Sequence, residues 1–310
     1  AICIREPPPD CPWASSRSAM SQPPVAVVTG ANRNPGIGYE IVRALATKMP
    51  AGTTVILTAR DPAMGEPAAQ ELKSAGLNVV FHQLQITDAA SVDALVTYVR
   101  DTYGGVDVLV NNAGLAFPVQ DPTPFPQQAR ATIDTNYYGT KRMMQNFAPL
   151  LRPGGRMIGV SSRSGQLGKS WSEALRCRLL AEDLTVDQLD AIAEDFVSAA
   201  SEGRHRERGF PGTAYGTSKA LMTQLHRVMA RDVPSPPSLV AAVCPGLCRT
   251  AMATGRGTLM SSVLWLASFA VGSSAAGGAD TPVWLCCEVP ESERKDYHGK
   301  FVTGRRVASF

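Results

Sequence analysis

From Val25 onward, β-branched apolar runs alternate with amphipathic stretches of helical period, and this alternation restricts the fold more than any other feature of the chain. VAVVT (25–29) and TTVILT (53–58) flank GIGYEIVRALATKM (36–49), which reads as a helix. The rhythm then gives a helix near 62–75, a strand over 78–86, a helix over 88–102 and a strand over 106–110. A helix around 126–150, a strand over 156–160 and a strand over 238–244 follow. Repeated β-α-β units with short connections predict an α/β fold with a single doubly wound parallel sheet, covered on both faces. Crossovers should be right-handed. A ligand site is expected at the carboxyl ends of the strands, where the strand order reverses.

At 310 residues the chain can bury one large core, and 44% hydrophobic with 18% charged content suits a compact fold rather than disorder. A net charge of +3, with basic residues scattered, gives no footprint for nucleic acid. Seven cysteines form no C-x-x-C pair and the four histidines are widely spaced, so no metal site is expected. Free thiols in a reducing, cytoplasmic compartment are the expectation. The longest apolar run, 259–271, falls short of the ~20 residues that span a bilayer. Residues 1–22 carry a triple proline and no apolar signal-peptide core, and read as a flexible leader before one domain over 23–310.

Two segments break the alternation. Within 163–212, TVDQLDAIAEDFVSAASEG (185–203) reads as an inserted helix. Thr185 and Gln188 have capping-box spacing, and Val186, Leu189, Ile192, Phe196 and Val197 form one stripe that must cover something. The other segment, 251–279, is rich in Ala, Gly, Ser and Met; Leu259, Met260, Val263 and Leu264 make it a candidate substrate lid, or else an ordinary core helix.

The strongest chemical signal is YGTSK, in which Tyr215 and Lys219 are four apart and share a helix face. A free phenol has a pKa near ~10 and is a poor proton carrier at neutrality. An ammonium ~4 Å away at an effective dielectric of ~20 is worth roughly 4 kcal/mol, or about three pKa units. That predicts a lowered pKa and a workable general acid.

Alone, Y-x-x-x-K is weak evidence. NNAG (111–114), TNYYG (135–139, placed mid-helix), VSSRSG (160–165) and CPGLCRT (244–250) accompany it at successive strand ends. In this order the motifs resemble the short-chain dehydrogenase/reductases over nearly the whole chain, 23–310, which implies a Rossmann-like fold. The long interval from Ser162 to Tyr215, with TARD (58–61), FHQL (81–84), DPTPF (121–125) and RHRERGFPGTAYGTSK (204–219), is similar to the monomeric NADPH-dependent carbonyl reductases. In those enzymes the insertion covers helices that relatives use to form oligomers, which implies a monomer here.

The resemblance implies reduction of ketones, aldehydes or quinones. Tyr215 would protonate the carbonyl oxygen, Lys219 would lower its pKa and bind ribose, Ser162 would polarise the carbonyl, and Asn136 would hold a relay water. Strand alternation points Ser161 and Ser162 to opposite sides, and the family position is Ser162. NADPH would lie along Gly30, Asn32, Arg33, Gly36, Ile37, Gly38, Arg60, Gln85, Ile86, Asn112, Ala113, Gly114, Pro245, Gly246 and Thr250, with Tyr215 and Lys219. Small-molecule carbonyl substrates would meet Ser162, Arg163 and Leu247.

The glycine turn TGANRNPGIG (29–38) is longer than the family form TG-x-x-x-G-x-G, and the extra residues are expected to bulge at Asn34-Pro35, outside the phosphate contact. Arg33 and Arg60 suit a 2′-phosphate, hence NADPH over NADH. Gln85 replaces a usual aspartate, and Leu247 a usual aromatic. A steroid or pteridine reductase, or a non-catalytic NADP-binding regulator, are the alternatives. An arginine that pteridine reductases usually carry is Ile37 here, and a regulator has no need of Tyr215.

Overall fold

The structure, a computed structural model, describes residues 22–118, 120–233, 238–248 and 272–310. Its centre is an eight-stranded sheet in the order β3-β2-β1-β4-β5-β6-β7-β8. The strands are β1 (Val25–Val28), β2 (Thr54–Ala59), β3 (Val79–Gln83), β4 (Val106–Asn111), β5 (Leu151–Val160), β6 (Leu239–Cys244), β7 (Phe301–Thr303) and β8 (Arg306–Val307). All neighbours are parallel except β7 and β8. The order reverses between β1 and β4, where the sequence pattern places a ligand crevice.

Alternate residues of each strand feed two separate cores, because successive side chains point to opposite faces. Val25, Val27 and Ile56 lie in one apolar cluster, and Ala26, Val28, Val55 and Leu57 in the other. Both faces are therefore covered, which is why these strands read as unbroken apolar runs. Helices α1 (Ile37–Lys48), α2 (Pro62–Ser74) and α9 (Ala275–Cys287) contribute to the second cluster. Helices α3 (Ala89–Tyr103), α4 (Phe125–Ile133), α5 (Thr140–Phe147), α6 (Glu173–Leu180), α7 (Val186–Ser201) and α8 (Ala214–Met229) contribute to the first.

Several boundaries differ from the sequence reading. The predicted strand 78–86 ends at Gln83, so Leu84–Ile86 form a loop instead. The predicted helix 126–150 is interrupted by a π-helical turn at Asp134–Gly139, which carries TNYYG. Such single turns are uncommon and bend the helix where a backbone group must be freed. Strand β5 starts at Leu151 rather than at 156, and β7 and β8 were not anticipated, being only three and two residues long. The segment expected as a lid lies outside the described residues up to 271. Its last residues, Ala275–Ala279, open α9, which packs on α1.

The insertion is built as its pattern requires. Thr185 Oγ1 accepts from Gln188 N at 3.2 Å, while Gln188 Oε1 accepts from Thr185 N at 2.9 Å, completing the capping box. Leu189, Ile192 and Phe196 are buried, with α7 set against α4 and α8. Polar ties frame that contact: Asp190 meets Lys141 and the Tyr137 hydroxyl, and Glu194 meets Arg130 and the Tyr138 hydroxyl. The carbonyls that end α6 are met by two arginines of α8 and its extension. Arg227 donates to Leu179 O at 2.7 Å and Ala181 O at 3.0 Å, and Arg231 donates to the Glu182 and Leu184 carbonyls. Each otherwise unpaired carbonyl would cost about 1–3 kcal/mol, less where water reaches it.

Removing both guanidiniums (Arg227→Ala with Arg231→Ala) should therefore lower unfolding free energy in urea by about 2 kcal/mol. Hydrogen exchange should accelerate over 173–185 first, with β1 and β4 unaffected; uniform acceleration would contradict this account of how the insertion is docked.

Candidate active site

The crevice begins with two strand ends held together by side chains. Thr29 Oγ1, just after β1, accepts from the backbone of Asn112 at 3.0 Å and of Ala113 at 2.9 Å. In return the Asn112 amide donates to Thr29 O and Gly30 O, each at 2.9 Å. The chain must then turn without side chains. Gly30 has φ +65°, and a Cβ there would stand 2.8 Å from Ala113 Cα. A Cβ on Gly38 would lie 2.4 Å from the Asn112 amide.

Helix α1 starts at Ile37 with Gly36 as its N-cap, and no side chain caps its free N–H groups. An uncapped helix start beneath a glycine turn is an anion cradle, since the free N–H groups and the helix dipole both favour negative charge. The cavity above it has a volume of about 670 Å³. Gly30, Asn32, Arg33, Gly36, Ile37, Gly38, Arg60, Gln85, Ile86, Asn112, Ala113, Gly114, Pro245, Tyr215 and Lys219 all line it, as the sequence motifs implied. Gly246 does not line it, and Thr250 lies outside the described residues. The extra turn residues divide. Asn34 points away to Glu71, whereas Pro35 forms part of the cavity wall.

Arg33 and Arg60 are exposed at this cavity. Asp61, beside Arg60, accepts from Ala63 N at 3.0 Å as the N-cap of α2, so its carboxylate serves the helix.

The YGTSK motif lies on α8, behind the same cavity. Tyr215 is half-buried beside Ser162, whose Oγ accepts from Ser164 N at 3.1 Å. Ser161 points the other way, to Lys219 O and to Thr223 Oγ1 at 2.6 Å, so alternation separates the two serines as expected. Lys219 Nζ lies 5.8 Å from the Tyr215 ring centroid and donates to Val160 O at 2.7 Å. Asn136, in the π-turn, is fully buried. Its amide donates to Leu115 O at 2.8 Å and Ser218 Oγ at 2.9 Å, and its Oδ1 accepts from Leu115 N at 2.7 Å.

The electrostatics correct the sequence expectation. The Tyr215 pKa is raised, not lowered: burial dominates, the Ser162 hydrogen bond opposes it and the nearby Cys244 adds to it. Lys219 is itself pushed down to about 8 by burial. In water a cation would have stabilised the phenolate. In this dry pocket both charged forms lose solvation, and the ammonium is aimed at a strand carbonyl rather than at the phenol.

None of Ser162, Arg163 and Leu247 is part of the cavity lining, which Ser161 joins instead, and Arg163 and Leu247 are exposed. Residues the motifs missed do line it, among them Tyr39, Met64, Leu84, Leu115 and Thr135. Leu115 adjoins NNAG, Thr135 opens TNYYG and Leu84 ends FHQL, which were available signals; Met64 had none. Cys244, closing β6, accepts from the backbone N–H of Arg163 and of Gly246, each at 3.4 Å.

The short chain dehydrogenase family model matches residues 24–174. Carbonyl reductase [NADPH] 1 of Pongo abelii is 41% identical over 288 residues, which is 91% of this chain and 97% of that protein. Among solved structures, salutaridine reductase from Papaver somniferum is 30% identical with a TM-score of 0.75, covering 90% of this chain and 99% of its own. Menthone neomenthol reductase from Mentha piperita is 29% identical with a TM-score of 0.72, covering 91% and 98%. With this similarity spanning both the glycine cradle and the Tyr215–Lys219 helix, the chain belongs to the short-chain dehydrogenase/reductase family.

Proposed function

We propose that the protein is an NADPH-dependent carbonyl reductase that converts ketones, aldehydes or quinones to alcohols, with Tyr215 as general acid. Similarity to the NADPH carbonyl reductase of Pongo abelii supports the reaction and the cofactor. The observation that carries the reading is that Tyr215 and Lys219 line one cavity whose floor is an uncapped helix start. An anion cradle and a protonated phenol on one cavity suit delivery of a proton beside a bound dinucleotide.

The residues present fit NADPH. The N–H groups at the start of α1 would take the pyrophosphate, and Arg33 and Arg60 the 2′-phosphate. When bound, the cofactor supplies the hydride. The chain's own groups do the rest. A raised pKa keeps Tyr215 protonated at neutral pH, the state a proton donor needs. Ser162, fixed by Ser164 N, orients that phenol and donates to the carbonyl oxygen as negative charge develops. Lys219 binds ribose hydroxyls and passes a proton toward Tyr215. The Asn136 side chain is spent on Leu115 and Ser218, so we assign the relay water to the backbone of its π-turn. Arg163 and Leu247 would meet the far end of a substrate at the rim. Five described thiols without a disulfide suit a cytoplasmic location. Among the described residues no helix is long and apolar enough to cross a membrane.

Tyr215→Phe should cut kcat with menadione or an aromatic aldehyde by at least about a hundredfold. Its Kd for NADPH should stay nearly unchanged. Undiminished turnover in that variant refutes the assignment.

Lys219 gives a pH-dependent outcome. Its folded pKa is about 8, against an unfolded value of ~10.4, so between these the unfolded chain binds more protons and stability rises with pH. Lys219→Met should be inactive yet more stable than the wild type at pH 7 by about 2–3 kcal/mol. That advantage should fade between pH ~8 and ~10.5 in urea titrations. A difference independent of pH would show that the ammonium is not held dry.

Because α7 lies on α4 and α8, we infer that the protein is a monomer. Light scattering should report the mass of one chain at micromolar concentration, and a stable dimer mass would overturn the inference.

A further inference from the structure

The lengthened glycine turn needs an anchor. Five residues separate Gly30 from Gly36, and three of them, Arg33, Asn34 and Pro35, are exposed. The base of the turn is tied by Ala31 N to Thr58 O at 2.9 Å. Its far side curls tightly, since a Cβ on Gly36 would stand 2.5 Å from Arg33 O. At its apex the Asn34 amide donates to Glu71 Oε1 on α2 at 2.7 Å. Glu71 also lies beside the hydroxyl of Tyr39, a buried residue on the first turn of α1. One carboxylate thus ties the apex of the turn to α2 beside the start of α1, while itself lining no part of the cavity.

We propose that Glu71 is a positioning residue for cofactor selection: through Asn34 it holds the enlarged turn in the one shape that keeps Arg33 at the cavity for a 2′-phosphate. The proposal rests on the assignment of Arg33 to that phosphate. A free five-residue turn would have to be ordered when the dinucleotide binds, and the clamp removes that cost beforehand. NADH has no 2′-phosphate and gains little from Arg33, so the clamp should matter mainly for NADPH. The sign of the effect is diagnostic. A carboxylate acting on a phosphate only through its charge repels it, so deleting that charge would tighten binding. Deleting a clamp weakens it.

The test measures Kd for NADPH and for NADH with the full chain, by cofactor fluorescence, in Arg33→Ala, Asn34→Ala, Glu71→Ala, Tyr39→Phe and the Asn34→Ala/Glu71→Ala double variant. Glu71→Ala and Asn34→Ala should each raise Kd for NADPH about three- to tenfold. Kd for NADH should change less than about twofold, and the double variant should be no worse than either single one. Tyr39→Phe removes only a hydroxyl and should shift Kd in the same direction. Turnover at saturating NADPH should be unchanged in Glu71→Ala and Asn34→Ala. If Arg33→Ala leaves NADPH affinity intact, the phosphate assignment fails and the proposal with it. If Arg33→Ala weakens NADPH binding but the Glu71 and Asn34 variants do not, tighten it, or weaken both cofactors equally, the clamp alone is refuted.

Discussion

The bonds between Thr29 and the Asn112–Ala113 segment are the contacts on which the cavity depends. At the switch point β1 and β4 are neighbours, yet the chain leaves them toward opposite faces of the sheet. An open crevice is left at their ends, and backbone groups there cannot be paired by continuing the ladder. The Thr29 hydroxyl and the Asn112 amide take over that pairing with four short bonds. Gly30 and Gly38 follow from this arrangement, because any side chain would strike Ala113 or Asn112.

The chemistry sits on a helix that is buried almost throughout. From Gly216 to His226 every residue of α8 is buried, polar ones included. Lys219 is held by the Val160 carbonyl at a strand end, and no carboxylate is among the groups that shift its pKa. His226, about two turns further along α8, is pushed down to about 4 and stays neutral, which avoids a second buried charge. A buried cation next to a half-buried phenol costs stability, and such local cost is characteristic of catalytic centres. It also explains why proximity alone misjudges the Tyr215 pKa: desolvation acts on both partners before their mutual attraction counts.

Two departures from the family pattern are accommodated by the same device, a charged side chain reaching to a neighbouring helix. Arg227 and Arg231 take up carbonyls of the insertion, and Glu71 receives the apex of the glycine turn. In each case added residues have polar groups to satisfy and entropy to lose, and charge-assisted hydrogen bonds serve both needs at one point. The covered surface is where α4 and α8 would otherwise face solvent, and the anchored turn is where the cofactor's phosphates would arrive.

The order of strands and helices was legible because buried parallel strands and amphipathic helices have different periods, and Val25–Val28 or Val186–Ser201 show those periods plainly. The motif residues of the cavity were legible for a related reason: they sit at strand ends, and strand ends in a doubly wound sheet converge. Short elements escaped. Three residues at Phe301–Thr303 carry no period, and the π-turn at Asp134–Gly139 differs from an α-helix only in its bonding. Distance in the chain hid the rest. Nothing local to Glu71 announces Asn34, 37 residues away, and nothing local to Arg227 announces Leu179. By itself, then, the sequence determined the alternation of elements and the identity of the groups at the crevice. Tertiary structure decided which of those groups are dry, where Lys219 points, and how the turn is held, because desolvation and long-range hydrogen bonds exist only after the chain has packed.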